Sequence, residues 1–278
     1  MNLSYEKLIR YEMYPVYWCP GCGIGVVFKS ILISFDKLGW DPNEIAFISG
    51  IGCTSRMPGY LKANTIHTTH GRALTFATGI KLVKPDKKVV VVSGDGDALA
   101  IGGNHFLHAC RRNIDIKLII VNNGVYGMTG GQVSPTTPEG FFTETTPYGN
   151  IDPEFDTVKI AEAAGATYVA RESVTRPFLL SKIIEKSLSH KGFAVVEVIS
   201  NCHINLGRKN KMRNQLKMLK WIDERIVPLS KASSMTPEEL KGKLVTGEFV
   251  NKQKPEYVEQ YYTQIIGKVK ELQAEFDL

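Results

Sequence analysis

The chain has 278 residues, of which 43% are hydrophobic and 22% are charged, a composition that argues against a disordered chain. The formal net charge of +6 is too small to indicate a nucleic-acid partner, although it favours acidic partners through long-range attraction. No apolar run reaches the roughly 20 residues that cross a bilayer, so we expect no membrane partner.

The N-terminal residues lack the basic start and apolar stretch of a signal peptide, which predicts a cytoplasmic protein. Cys19 and Cys22 follow as a C-x-x-C motif. Such a pair can bind a metal, exchange a disulfide or hold an iron–sulfur cluster. The chain has five cysteines, and an odd number in a reducing compartment favours metal or redox chemistry over a disulfide framework.

Five short apolar runs rich in β-branched residues predict buried strands, with helical patterns between them. The predicted strands span residues 45–50, 88–93, 116–122, 167–171 and 193–200. The predicted helices span residues 23–38, 72–83, 99–111, 156–164 and 176–189. Continuously apolar strands that alternate with helices indicate an α/β fold, in which a parallel sheet carries helices on both faces. Ligands of such sheets bind at the carboxyl ends of the strands.

The character of the sequence changes after about residue 203. We therefore expect a ligand-binding domain over residues 1–203 and a helical C-terminal extension over residues 204–278. Helical patterns lie near residues 237–244 and 256–276. This extension is expected to pack on the core or on a partner.

Two polar loops follow consecutive predicted strands. The segment GDGD (residues 94–97) ends one strand, and the next strand ends at Asn122 and Asn123. One helix and one strand separate Asp95 from Asn123, so both side chains should reach adjacent strand ends. A carboxylate, an amide oxygen and a backbone carbonyl suit magnesium, which also takes waters and phosphate oxygens. Either loop alone is more often a plain turn, but together they predict a magnesium–diphosphate site.

The remaining cysteines lie close to the same predicted edge. Cys53 follows the first predicted strand, and Cys202 follows the last. With Cys19 and Cys22 they make four thiolates, which could bind zinc or a four-iron, four-sulfur cluster. Cys110 lies in a helical pattern and is expected to be a buried small hydrophobe.

The paired GDG and NN loops resemble the magnesium–diphosphate motif of thiamine diphosphate enzymes. In order and spacing, the motifs WCPGCG, GIGCTSR, GDGDALAIGGNHFLHACRRN and NNGVYGMTGGQVSPTTP resemble the β subunits of the 2-oxoacid:ferredoxin oxidoreductases. The resemblance covers about residues 18–220. It implies coenzyme A-dependent oxidative decarboxylation of a 2-oxoacid, with one-electron transfer through a 4Fe-4S cluster to ferredoxin. It also implies a separate α subunit that carries the pyrimidine-binding half and without which this chain is inactive.

The resemblance also implies a set of ligands. The expected cluster ligands are Cys19, Cys22, Cys53 and Cys202. The expected Mg²⁺ ligands are Asp95, Asn123 and the carbonyl of Val125. The residues expected around thiamine diphosphate are Ile51, Gly52, Cys53, Thr54, His70, Gly96, Asp97, Gly127 and Met128. His70 precedes a predicted helix, where free amides attract a diphosphate and the imidazole can add a donor.

Arg56 is the candidate for substrate selection. A cation on this loop could bind the distal carboxylate of a dicarboxylic oxoacid. We therefore expect 2-oxoglutarate, converted to succinyl-CoA and carbon dioxide. The alternatives are pyruvate or a branched-chain oxoacid and, from another class, a non-redox thiamine diphosphate lyase with a structural zinc site.

A basic run occupies residues 208–220 and contains no acidic residue. Its six cations are Arg208, Lys209, Lys211, Arg213, Lys217 and Lys220. The run can be a solvated helix face, or it can contact the partner subunit, coenzyme A phosphates or an acidic ferredoxin.

Overall fold

A computed structural model describes residues 4–275 of the chain as strands that alternate with helices. The strands are β1 (Ile45–Ser49), β2 (Asn64–His67), β3 (Lys88–Gly94), β4 (Lys117–Asn122), β5 (Tyr168–Ser173), β6 (Ala194–Ile199), β7 (Ile226–Pro228) and β8 (Leu244–Asn251). The α-helices are α1 (Ile24–Lys37), α2 (Ala73–Val83), α3 (Gly103–Arg112), α4 (Thr157–Ala163), α5 (Pro177–Ser189), α6 (Gln215–Asp223), α7 (Leu229–Ala232), α8 (Pro237–Leu240), α9 (Tyr257–Gln260) and α10 (Gly267–Glu275). Shorter 3₁₀ segments span Ser4–Leu8, Tyr11–Met13 and Thr54–Tyr60, and π-helical segments span Gly96–Ile101, His203–Gly207 and Tyr261–Ile266.

The strands form one sheet in the order β2-β1-β3-β4-β6-β5-β8-β7. Strands β1 to β6 pair in parallel, β8 pairs antiparallel with β5, and β7 lies parallel to β8. The predicted parallel sheet is therefore confirmed. The chain makes β2 on one side of β1 and then returns to make β3 on the other side. The strand order thus reverses between β1 and β3, which is where open α/β sheets bind ligands.

Helices cover both faces of the sheet. In β3, Val90 and Val92 pack in the layer that contains α1 and α5, whereas Val89 and Val91 pack in the layer that contains α2, α3 and α4. Successive side chains of a strand point to opposite faces, and here both faces are buried. This explains why the strand sequences are continuously apolar. Cys110 is fully buried in the second layer, as expected.

Three strands, β2, β7 and β8, are absent from the sequence prediction. The four residues of β2 are polar or largely exposed, so they carry no buried-strand pattern. In the C-terminal extension, the helix expected near residues 237–244 is the single turn α8, after which the chain forms β8. The extension is therefore not only helical. It adds two strands to the sheet, and Val250 and Val258 pack in the core.

The strand register places several carboxyl ends at one edge of the sheet. Gly94 is level with Val121, and Asn122 is level with Ile199. The loops that follow β3, β4 and β6 therefore begin side by side, next to the loop that follows β1. Within the described residues, no helix combines the length and the apolar character that a membrane crossing requires.

Candidate active site

An open cavity of about 500 Å³, the Asp95 cavity, lies where the strand order reverses. Its walls come from the loops after β1, β3 and β4 and from His70. All residues expected to contact thiamine diphosphate or magnesium line it: Ile51, Gly52, Cys53, Thr54, His70, Asp95, Gly96, Asp97, Asn123, Val125, Gly127 and Met128. Residues that are far apart in the chain thus surround one space. Tyr126 and Thr129, which the sequence interpretation did not include, line it as well.

Asp97 is a buried carboxylate that joins three of these walls. Its Oδ1 accepts hydrogen bonds from the backbone N–H of Ile51 (3.1 Å) and Gly71 (2.7 Å), and its Oδ2 accepts from the Ser93 hydroxyl (2.5 Å). Oδ1 also lies 2.6 Å from Nδ1 of His70. The carboxylate is therefore engaged by the protein itself. This indicates that Asp97 positions the cavity walls.

His70 lies just before α2 and is about one-third exposed, at 35% of its side-chain area. The contact with Asp97 orients its ring, and the ring packs edge-on against Tyr126 at a centroid distance of 6.0 Å. Nε2 is the remaining polar atom of this oriented ring. His67, by contrast, lies at the end of β2 with its Nδ1 3.0 Å from the Ser49 hydroxyl.

Asp95 is buried, with 2% of its surface exposed. Its Oδ2 accepts hydrogen bonds from the hydroxyls of Ser134 and Thr136, both at 2.6 Å. Burial raises the pKa of this carboxyl group, although the two hydroxyls act in the opposite direction. The sequence interpretation missed both donors. Their only sequence signal is their position in the motif NNGVYGMTGGQVSPTTP.

Gly96 lies against the ring of Tyr126 in the wall of the Asp95 cavity. The Tyr126 hydroxyl donates to the carbonyl of Gly96 at 3.0 Å, and a Cβ atom on Gly96 would collide with the same ring. Only glycine fits this position without moving the ring. Gly96 is therefore covered by the Tyr126 ring, and the contact holds this ring in the cavity wall.

A buried ionic network anchors the NNG loop (residues 122–124) at the end of β4. Asn122 Nδ2 donates to Glu197 Oε1 at 2.8 Å, and Arg171 Nε donates to Glu197 Oε2 at 2.6 Å. In the loop itself, Asn123 Oδ1 accepts from the N–H of Val125 at 3.2 Å. A buried polar network whose members are hydrogen-bonded in this way rigidifies its surroundings. The network therefore fixes the residues that border the cavity.

A second cavity of about 430 Å³, the cysteine cavity, adjoins the first. Cys19, Cys22, Cys53 and Cys202 all line it. Cys53, Asn123 and Gly127 line both cavities. A Cβ atom on Gly127 would lie 3.5 Å from Sγ of Cys202 and 3.7 Å from Sγ of Cys53. The wall between the two cavities is therefore thin at Gly127.

Cys22, Cys53 and Cys202 share an environment that disfavours free thiolates. Burial, together with the neighbouring cysteines, raises the pKa of Cys22 to about 12 and that of Cys53 to about 11. Burial also raises the pKa of Cys202. Backbone N–H groups partly compensate: that of Ile24 contacts Cys22, and those of Asn205 and Leu206 contact Cys202. Binding of a cationic metal centre here must therefore release protons.

Three hydrogen bonds hold the segments of the cysteine cavity together. Trp18 Nε1 donates to the carbonyl of Cys53 at 2.8 Å, and Asn201 Nδ2 donates to the carbonyl of Gly21 at 3.1 Å. Asn205 Nδ2 donates to the carbonyl of Gly127 at 2.5 Å. The sequence interpretation included none of these donors. Over residues 4–275, no three His, Cys, Asp or Glu side chains are placed to hold one metal ion.

Arg56 lies outside the Asp95 cavity. It is exposed in the 3₁₀ segment after β1, and its guanidinium carbon is 5.6 Å from the ring centroid of Tyr17. Tyr17 lines the cysteine cavity, whereas Arg56 lines neither cavity. The structure therefore does not bring Arg56 together with the other expected substrate residues, and its role stays a prediction.

The basic run is mostly exposed. Lys209 forms an ion pair with Glu144 at 3.0 Å. The exposed cations are Arg208, Lys211, Arg213, Lys217 and Lys220. Asn210, inside the run, exchanges two hydrogen bonds with the backbone of Phe142. The run thus ties the long loop after β4 to the C-terminal extension.

Comparison with known proteins finds a matching family and several similar proteins. The family described as "Thiamine pyrophosphate enzyme, C-terminal TPP binding domain" matches residues 50–198. The 2-oxoglutarate synthase subunit KorB of Methanocaldococcus jannaschii is 50% identical over 264 residues, which cover 95% of this chain and 97% of that protein. The corresponding subunit of Archaeoglobus fulgidus is 54% identical over 202 residues, 73% of this chain and 75% of that one.

A solved structure is also similar. The 2-oxoglutarate:ferredoxin oxidoreductase from Magnetococcus marinus, with 2-oxoglutarate, coenzyme A and succinyl-CoA bound, superposes with a TM-score of 0.85 at 31% identity. The match covers 98% of this chain and 91% of that one.

Proposed function

Because the chain belongs to the β subunits of the 2-oxoacid:ferredoxin oxidoreductases, we propose that its two adjoining cavities hold thiamine diphosphate with Mg²⁺ and a 4Fe-4S cluster. The observation that carries this proposal is the shared wall, formed by Cys53, Asn123 and Gly127. Oxidative decarboxylation with one-electron acceptors needs a redox centre beside the carbon chemistry. The thin wall at Gly127 supports that proximity.

The Asp95 cavity suits a magnesium diphosphate. Asp95, Asn123 and the carbonyl of Val125 are hard oxygen donors, which magnesium prefers, and all three line one space. Asp97 orients the ring of His70, which would present Nε2 to the diphosphate. Because Nδ1 faces the Asp97 carboxylate, the ring donates from Nε2 only in its imidazolium form. The role of Asp97 is then to hold the walls in place.

The cysteine cavity suits a cluster better than a single zinc ion. One zinc ion with bonds of about 2.3 Å draws four thiolates together around a point, whereas the four irons of a cluster keep their thiolates further apart. The relatives are subunits of ferredoxin oxidoreductases, whose one-electron chemistry needs a redox-active centre that zinc does not provide. The N–H groups that contact Cys22 and Cys202 would stabilise the negative charge of ligated sulfur and so tune the reduction potential.

Thiamine diphosphate, when bound, supplies the nucleophilic carbon and the electron sink for decarboxylation, while the cluster accepts electrons singly. The chain binds and orients both groups and separates them by a thin wall. Coenzyme A would take the acyl group, and ferredoxin would take the electrons. An α subunit would supply the pyrimidine-binding half. In support, the relatives are subunits of such oxidoreductases, and the similar solved structure holds coenzyme A and succinyl-CoA.

We further propose 2-oxoglutarate as the substrate. Support comes from relatives named 2-oxoglutarate synthase subunits at 46–54% identity and from the 2-oxoglutarate bound in the similar structure. Arg56 stays the candidate for the distal carboxylate. Five free cysteines and a cluster also favour a reducing, cytoplasmic setting.

Iron and acid-labile sulfide analysis, together with a visible spectrum, tests the cluster. We expect about four irons and four sulfides per chain. Cys53→Ser should lose them, whereas Cys110→Ser should keep them, because Cys110 is a buried core residue of α3 that lines neither cavity. Colourless protein loaded with zinc would contradict the proposal and favour the structural-zinc alternative.

The substrate is tested with the chain and its partner subunit purified together. We expect ferredoxin reduction with 2-oxoglutarate and coenzyme A to exceed that with pyruvate. Arg56→Ile should narrow this preference. Equal or better use of pyruvate, unchanged in Arg56→Ile, would remove the basis of the substrate proposal.

A further inference from the structure

A third opening, the α6 groove, lies beside the cysteine cavity and has an open volume of about 1090 Å³, solvent at its mouth included. It runs between the C-x-x-C turn, the start of α1, the segment before α5, and α6. The cavities described above do not account for this groove. Its position beside the cysteines makes it relevant to electron transfer.

Cys22 connects the α6 groove to the cysteine cavity. Cys22 and Asn201 line both spaces. A molecule seated in the groove would contact the turn that carries Cys22 and would lie one side-chain thickness from the proposed cluster. The Asp95 cavity adjoins a different wall, at Gly127. Substrate oxidation and electron exit would then use different sides of the same cluster.

The groove presents an apolar floor. Leu216, Leu219 and Lys220 occupy one face of α6, and Leu216 is 62% exposed. Val26, Val174 and Pro177 line the other side. An open apolar groove of this kind suits a protein contact.

The rim of the groove is cationic. Lys220 lines it, and Lys217 is exposed three residues earlier on α6. The acidic residue of the lining, Asp223, is already engaged: it accepts from the Thr175 hydroxyl at 3.0 Å and lies 3.8 Å from Arg176 Nε. An acidic partner would therefore meet two exposed lysines of α6, Lys217 and Lys220, beside the apolar floor.

We propose that the α6 groove docks the electron acceptor, a small iron–sulfur protein with an acidic surface. The inference rests on the proposed function of the cysteine cavity. In each encounter one electron leaves the cluster of this chain, which is oxidised, and enters the acceptor's cluster, which is reduced. Two encounters follow each 2-oxoacid oxidised. A small apolar contact bordered by complementary charge suits a transient partner that must dissociate between turnovers.

The test uses the chain assembled with its partner subunit, and it compares two acceptors. One is a small acidic ferredoxin, and the other is methyl viologen, which needs no docking surface. We expect Lys220→Glu and Leu216→Asp each to raise the KM for ferredoxin by about five- to tenfold. Viologen reduction should stay at the wild-type rate. Added salt should raise the ferredoxin KM of the wild type more than that of Lys220→Glu.

Lys84→Glu is the matched control. Lys84 is exposed and lies between α2 and the start of β3, at the edge of the sheet opposite the cysteines. The variant Lys84→Glu makes the same charge change as Lys220→Glu. It should leave the KM for ferredoxin and the rate of viologen reduction unaltered. Equal ferredoxin KM values in Lys220→Glu and Lys84→Glu would overturn the docking proposal.

Three other outcomes would also overturn it. Loss of the partner subunit from Lys220→Glu or Leu216→Asp on size-exclusion chromatography would assign the groove to the subunit interface. A wild-type complex that reduces neither acceptor would refute the proposed function, and the docking proposal with it. Normal viologen reduction with unaltered ferredoxin kinetics in the groove variants would refute the docking proposal alone.

Discussion

Asp97→Ala should destabilise the chain even when no cofactor is present. The Asp97 carboxylate accepts hydrogen bonds from Ile51, Gly71 and Ser93 and contacts His70, so it joins the loops that line the Asp95 cavity. If Asp97 acted only through a bound cofactor, its removal would leave the free energy of unfolding of the cofactor-free chain unchanged. The variant therefore separates a structural role from a direct one.

The magnitude follows from the four contacts. The Gly71 amide would be buried without a partner, which costs about 1–3 kcal/mol, and the three other lost hydrogen bonds cost about 1 kcal/mol each. The substitution also removes the buried charge of Asp97, and the burial energy recovered in this way reduces the total destabilisation. We expect a loss of roughly 3–5 kcal/mol, a large part of the roughly 5–15 kcal/mol that stabilises a typical domain.

The assay is urea unfolding of the cofactor-free chain, followed by fluorescence of its three tryptophans. Asp86→Ala is the control, because Asp86 is exposed in the turn before β3. It should change the free energy of unfolding by less than about 0.5 kcal/mol. A loss below about 1 kcal/mol for Asp97→Ala would refute the reasoning, because the four contacts would then contribute little.

Gly96→Ala should force the ring of Tyr126 aside, which costs about 1–3 kcal/mol and weakens thiamine diphosphate binding; thermal unfolding and cofactor titration measure both effects. Thr136→Val removes one of two hydroxyl donors to Asp95 and should weaken Mg²⁺ binding roughly ten- to hundredfold in a Mg²⁺ titration with thiamine diphosphate present. His190 is buried, and burial lowers its pKa to about 4. His190 stays neutral in the folded chain, whereas in the unfolded chain it takes up a proton below about pH 6.5. The contribution of His190 to the free energy of unfolding is therefore complete above that pH and is lost as the pH falls towards 4. Urea unfolding at pH 7 and pH 4.5 should show this loss, at most about 3 kcal/mol, and His190→Gln should lessen it.

Matched variants control these experiments. A Cβ atom on Gly103 would meet no atom within 4 Å, so Gly103→Ala should leave cofactor binding unchanged. His108 is exposed, and His108→Gln should keep the pH dependence of the wild type. Wild-type cofactor affinity in Gly96→Ala, or an undiminished pH dependence in His190→Gln, would contradict the corresponding expectation.

Sequence reasoning performed best where the signal was local. Continuous apolar runs predicted five strands of the parallel sheet, because strands buried on both faces need no polar positions. The GDG and NN loops and the cysteines at strand ends could be assigned to one edge, because parallel strands end together. Strand β8 could not be predicted in this way. Its buried positions are few and irregular, and it is stabilised by antiparallel pairing with β5.

Arg56 and Asp97 show the limits of reading a site residue by residue. The sequence places Arg56 near Cys53 but does not reveal that its guanidinium turns towards Tyr17. It places Asp97 in the diphosphate motif but does not reveal that four protein groups engage its carboxylate. Both outcomes depend on side chains that arrive from distant segments.

The sequence by itself determined the fold class, the family and the edge of the sheet at which the polar and thiol groups gather, because each of these follows from local patterns and from parallel strand order. Only the tertiary structure decided that two separate cavities form there and share the wall at Gly127. Only the tertiary structure also decided that Cys22 opens onto the α6 groove. These features arise where the C-x-x-C turn, the strand-end loops and α6 pack against one another, and no local pattern records the distances between segments so far apart in the chain.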